Sequence, residues 1–154
     1  MAFPPRLVTL IEGQSGETEC DDPSEAAVEL EHLGILTESE FAAVYLKYSP
    51  SVFLSTVSHE QLLDLVGPGG KLCMATEFVH SVWELPHDYV CITSCEGEGC
   101  YLYSKTTGGV YDFSLADRER FVGERPTPMV SSIFAFFEWY LEPKAGSRRT
   151  SRST

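Results

Sequence analysis

Between residues 88 and 113 the apolar residues fall into a period of two, and glycines bracket the runs. "DYVCITSC" (88–95) is rich in β-branched residues and alternates, so Val90 and Ile92 share one face of a strand. "CYLYS" (100–104) and "GVYDF" (109–113) are the second and third strands. "EGEG" (96–99) and "TTGG" (106–109) join them, and glycine takes the positive φ that tight turns need. Short strands joined this tightly pair as an antiparallel meander, because parallel pairing needs a long crossover. A meander alone is unstable in water, so the flanking chain has to cover it.

The flanks are helical in pattern. Asp22-Pro23-Ser24-Glu25 offers an acidic cap, proline at the first helical position and Glu three residues after the cap, with Gly34 as the stop. Thr37-Glu38-Ser39-Glu40 reads as a second capping box, with Leu36 and Phe41 placed to staple it. Phe41, Val44, Tyr45 and Tyr48 then mark one apolar helical face, and Pro50 bars its extension. Ser58-His59-Glu60-Gln61 predicts a short third helix carrying Leu62, Leu63, Leu65 and Val66, ended by "GPGG" (67–70). Residues 71–83, with "LCMATEFVHSVW", fit either a strand or a short helix, and a strand is the preferred reading. Thr127-Pro128 predicts the start of a last helix whose stripe is Val130, Ile133, Phe134, Phe137 and Leu141, ended by Pro143. The expected architecture is α+β: a mixed, mainly antiparallel sheet backed by N-terminal and C-terminal helices. One domain spans 1–143, and "KAGSRRTSRST" (144–154) reads as a basic, disordered tail.

Charge narrows the function. All 23 acids lie within residues 1–142 against seven Lys/Arg, a net of −16 for the body of the chain. Such a surface repels nucleic acid and anionic membranes and attracts basic partners. No apolar run approaches the roughly 20 residues of a membrane span, and "MAFPPRLVTLIEG" (1–13) is a poor secretory leader. A cytoplasmic protein is expected.

Catalytic patterns are incomplete. His59-Glu60 begins like a zinc-protease motif, but Leu63 stands where the second histidine is needed. Glu77-x-x-His80 is half of a di-iron helix without its second copy. His32 and His87 stand alone. "GPGGK" (67–71) lacks the phosphate-loop frame, since Leu72 follows Lys71. Cys91, Cys95 and Cys100 give C-x3-C-x4-C without the close C-x2-C pairs typical of zinc sites, so free thiols and no metal or other cofactor are expected. A small metal- or thiol-dependent enzyme on these cysteines and a histidine is the minor alternative.

The order of the segments resembles the SUKH superfamily. "LGILTESEFAAVYLKYSP" (33–50) is followed by "LPHDYVCIT" (85–93), "GEGCYLYSKTTGGVYDF" (97–113) and "SSIFAFFEWYLEP" (131–143), so the likeness covers about residues 25–143. The resemblance implies an α+β fold, no enzymatic activity and no shared catalytic residues. Bacterial members of that superfamily are commonly immunity proteins of polymorphic toxin systems, and other members are regulatory interaction scaffolds. It implies a cognate toxin protein with a basic effector domain as partner. With the charge, it makes Asp88, Glu96, Glu98, Asp112, Asp117 and Glu119 candidates for partner contact. Trp83, Tyr101 and Tyr103 are candidate aromatic anchors, since such residues dominate binding hot spots.

Overall fold

The computed structural model describes residues 2–67 and 71–143. The tail 144–154 and most of the "GPGG" stop lie outside the described residues. Among the described residues, six α-helices and one three-stranded sheet form an α+β fold. The meander is β1 (Tyr89–Cys91), β2 (Gly99–Ser104) and β3 (Val110–Ser114), antiparallel throughout, with β2 central. Gly97 (φ 76°) and Gly108 (φ 78°) occupy the left-handed region in the two connections, as the turns require.

Register decides which side chains share a face. Val90 pairs with Tyr103 and Tyr103 with Val110, and all three enter one apolar cluster with Tyr101. Cys91, Leu102 and Tyr111 align across the three strands, and with Cys100 and Phe113 they enter a second cluster on the opposite face. Helices α1 (Pro5–Glu12), α2 (Pro23–Leu33), α3 (Glu40–Lys47) and α6 (Ile133–Leu141) supply the first cluster. Helix α4 (Leu72–Ser81), Trp83 and Phe121 of α5 (Arg118–Gly123) supply the second. The sheet is therefore the middle of three layers, and β2 is buried from Cys100 to Ser104.

Several sequence signals hold. Asp22 caps α2 by accepting from the Glu25 N–H (3.0 Å), and Gly34 ends that helix with left-handed φ 75°. The expected α3 face, Phe41, Val44, Tyr45 and Tyr48, is buried. The Tyr45 ring stacks on Phe41 at 4.3 Å, but its hydroxyl is buried with no hydrogen-bond partner among the described residues.

Others are overturned, each by tertiary pairing or packing. The α3 cap is Ser39, not Thr37, and Leu36 is exposed rather than stapled. Residues 58–66 form no helix. The Leu63 N–H donates to Ile92 O (3.0 Å) and the Ser94 N–H to Gln61 O (3.0 Å), with a bridge between Leu62 and Thr93, so this segment extends the β1 edge. Residues 72–81 are helical, not a strand: Leu72, Thr76 and Val79 are buried at helical spacing, and the Thr76 hydroxyl accepts the Cys91 N–H at 3.0 Å. Proline 128 does not open α6. The N–H groups of Met129 (2.8 Å) and Val130 (3.3 Å) donate to Val110 O, and the Val110 N–H donates to Val130 O (3.1 Å). That pairing holds the segment extended, and α6 starts after the Ser132 cap.

Two helices have no counterpart among the sequence expectations. In α1, Leu7 and Ile11 are buried against α6, Phe3 packs on Phe134 (5.4 Å), and Arg6 pairs with Glu142 (3.1 Å). In α5, Arg118 fixes the distant loop between α4 and β1: its Nε donates to Trp83 O (2.6 Å) and its terminal nitrogen to Glu84 O (2.9 Å). Among the described residues no helix is long and apolar enough to cross a membrane.

Candidate functional site

The aromatic anchors expected from sequence are core residues. Trp83 packs on Phe113 (5.6 Å) and Phe78 (5.2 Å) beneath α4. Tyr101 meets Phe136 (5.3 Å) and Tyr103 meets Phe41 (4.7 Å), and all three are more than nine-tenths buried. Helices cover both faces of the sheet, so none of the three is available to a partner.

Asp88 is likewise spent inside the fold. Its carboxylate accepts from the Ser104 hydroxyl, the Thr106 N–H (2.9 Å) and the Thr106 hydroxyl (2.6 Å), while its carbonyl accepts the Lys105 N–H (3.0 Å). It clamps the β2–β3 turn to the start of β1, and its candidacy as a contact residue is withdrawn.

The remaining five acids are exposed and lie around one end of the sheet. Glu96 and Glu98 sit in the β1–β2 turn, which leads into Gly99 opposite Ser114 at the end of β3. Asp117 and Glu119 follow directly from that strand end, and Asp112 is the exposed residue within it. The sequence readings missed Glu60, which belongs to the same field. Its carboxyl is raised by partial burial and then by Asp112, Cys95 and Glu96. Burial also raises the Asp112 carboxyl. Like charges gathered this closely disfavour one another's ionisation. Asp112 and Asp117 line a groove of about 490 Å³ with Tyr111, Phe121, Arg120 and Glu124.

The backbone of this rim is open as well. Val110 spends its N–H and carbonyl on the 129–130 segment. By strand alternation Asp112 and Ser114 aim theirs to the same side, where β3 is the sheet edge.

A second constellation lies at the β1–β2 connection, beside Glu96 of the rim. Cys91 on β1, Cys95 in the β1–β2 connection and Cys100 on β2 bring their three sulfur atoms within 4.8 Å of one another. Cys91 Sγ is 3.6 Å from Cys95 Sγ and donates to Thr93 O at 3.0 Å. The neighbouring Cys100 and Cys91 thiols hold the Cys95 thiol well below the ordinary range, against the opposing effect of burial. The same crowding by Cys91 and Cys95, together with burial, pushes Cys100 up. The spacing C-x3-C-x4-C gave no hint of this, because strand pairing rather than chain distance makes these residues neighbours.

Histidines and acids gather around a third groove, of about 460 Å³, between α2 and α4. His80 and His87 stack their rings at 4.4 Å, and His80 Nε2 lies 2.7 Å from Tyr89 O. The Cys73 thiol donates to Glu29 (2.9 Å), and burial with that adjacent carboxylate pushes it up to about 12. A thiol held protonated in this way is a poor nucleophile. His59 is exposed and remote from these groups in the chain.

Compared with known proteins, the chain matches no family model, no curated protein and no solved structure.

Proposed function

We propose that the chain is a SUKH-type immunity protein: a non-catalytic, cytoplasmic toxin inhibitor. It docks the basic effector domain of a cognate toxin, of the kind that acts on nucleic acid or nucleotides, and occludes its active site. The contact acids are Glu96, Glu98, Asp112, Asp117 and Glu119, with Glu60 added.

One observation carries this reading: among the described residues most of the acidic side chains have no arginine or lysine partner within the fold. Of 23 acids, the described residues place only Glu119 and Glu142 in ion pairs with arginine, at 3.0 and 3.1 Å. Both pairs are exposed and worth little. The rim, in which Glu119 is the acid paired with an arginine among the described residues, presents a negative potential to solvent, which speeds capture of a cationic surface and disfavours anionic ones. The order of segments that resembles the SUKH superfamily supports the same partner class.

The test is co-expression with the toxin domain encoded beside the gene, scored by growth. Wild type should protect, and association should slow as salt rises. The variant Glu96→Lys, Glu98→Lys, Asp117→Lys, Glu119→Lys leaves every core contact in place. It should lose protection and slow association by roughly 10–1,000-fold, the span of electrostatic steering. Protection that survives this reversal would refute the assignment of the rim. Binding without protection would make the protein an interaction scaffold instead.

A further inference from the structure

From the convergence of Cys91, Cys95 and Cys100 on one point, we infer that the β1–β2 hairpin binds a single thiophilic metal ion of the Zn²⁺ class.

The geometry is close to what such an ion needs. Zinc–sulfur bonds of about 2.3 Å in a tetrahedral array set the sulfur atoms about 3.8 Å apart. Cys91 and Cys95 are already at 3.6 Å, and the third sulfur lies within 4.8 Å of both. Closing the set takes side-chain rotations rather than a rearrangement of the sheet. The rigid part of the site is two paired strands: Cys91 opposes Leu102, so Cys100 sits diagonally across the ladder on the same face. The Cys91 N–H is anchored to Thr76 of α4 at 3.0 Å, which fixes that ligand from behind. Cys95 comes from the connecting loop and acts as the adjustable third arm.

Three ligands leave one tetrahedral position. Cys91 and Cys100 are buried, while Cys95 is half-exposed and lines a shallow apolar groove of about 370 Å³ with Met74, Phe78, Lys71 and Glu96. The fourth position therefore faces this groove, where water or an incoming ligand atom can complete the shell. Soft thiolate donors select Zn²⁺ or Cu⁺ over the hard ions Ca²⁺ and Mg²⁺. The described residues place no disulfide, and the five cysteines are free. An ion at this point would tie the 92–98 loop to both strands.

The test uses full-length reduced protein. Co²⁺ is added as a spectroscopic probe, then Zn²⁺ as competitor. One equivalent of Co²⁺ should give thiolate charge-transfer absorption and tetrahedral visible bands that one equivalent of Zn²⁺ removes. Cys95→Ser should weaken Zn²⁺ affinity at least as much as the roughly 10–100-fold that outer-shell changes cost. The double variant Cys20→Ser, Cys73→Ser should leave affinity unchanged. If Cys95→Ser fails to fold, alkylation of the wild type read by mass spectrometry decides the matter. Zinc should slow alkylation of the half-exposed Cys95 and leave the rates at Cys20 and Cys73 as they are without metal. Absence of the charge-transfer band, Zn²⁺ affinity unchanged in Cys95→Ser, or equal protection of all five thiols would each overturn the site.

Discussion

Replacing Tyr45 by phenylalanine should stabilise the protein. The ring is wholly buried, stacked on Phe41 at 4.3 Å and tilted against Phe137 at 6.1 Å, and phenylalanine keeps every one of those contacts. Only the hydroxyl goes, and it has no partner among the described residues. An unsatisfied buried polar group costs about 1–3 kcal/mol. The void left by one oxygen, at about 24 cal/mol per Å³, returns only about 0.3 kcal/mol of that. The net gain is about 0.7–2.7 kcal/mol, which for a chain of this size raises Tm by roughly 1–11 °C. The internal control is Tyr140→Phe, the same atom deleted from the same cluster. Tyr140 donates to Glu60 O at 2.9 Å, so its loss should destabilise by about 0.5–1.5 kcal/mol. Urea unfolding of the three proteins, with equal m-values, reads both numbers. The reasoning fails if Tyr45→Phe is destabilised by more than about 0.5 kcal/mol, since an unpaired hydroxyl cannot then be what the mutation removes.

Other predictions follow from the same packing and charge. Asp88→Ala should destabilise by about 2–4 kcal/mol by stripping the β2–β3 turn of its carboxylate acceptor, and should leave toxin association at the wild-type rate; chemical denaturation and stopped-flow binding check the two halves. Leu102→Ala, at the wholly buried centre of the middle strand, should cost about 2–5 kcal/mol in the same melts. Burial raises the carboxyls of Asp64, Asp112 and Glu60, so the folded state binds protons more tightly than the unfolded chain. Stability should therefore increase as pH falls from neutrality toward the ordinary carboxylate range, and a monotonic loss between pH 7 and 5 would contradict this. His80 works the other way. Burial lowers its pKa, so the unfolded chain protonates first and His80→Gln should steepen the gain on acidification.

The meander was legible because glycine and β-branched residues dictate it locally, and α2 because Asp22, Pro23 and Gly34 punctuate it. What sequence reasoning lost were segments whose backbone was claimed by a distant neighbour. Residues 58–61 and 127–128 carry respectable helix-start signals, yet the segments 61–63 and 129–130 pair with strand edges and stay extended. "LCMATEFVHS" supports both periods, and only contact with β1 selects the helix. Glu96, Glu98, Asp112, Asp117 and Glu119 are exposed, as charged side chains are by default, whereas Trp83, Tyr101 and Tyr103 are buried because helices cover both faces of the sheet. The thiol cluster had an available signal. Once β1 and β2 pair, Cys91 and Cys100 have matching parity, and Cys95 lies in the turn between them.

The contact between α1 and α6 sets when this domain can finish forming. During translation the first helix emerges with Leu7 and Ile11 bare, and the surface that shelters them is made about 120 residues later, at some 5–20 residues per second. For those seconds the nascent chain holds an unshielded greasy stripe, a natural handle for ribosome-bound chaperones. A stall before Leu141 leaves that stripe unshielded.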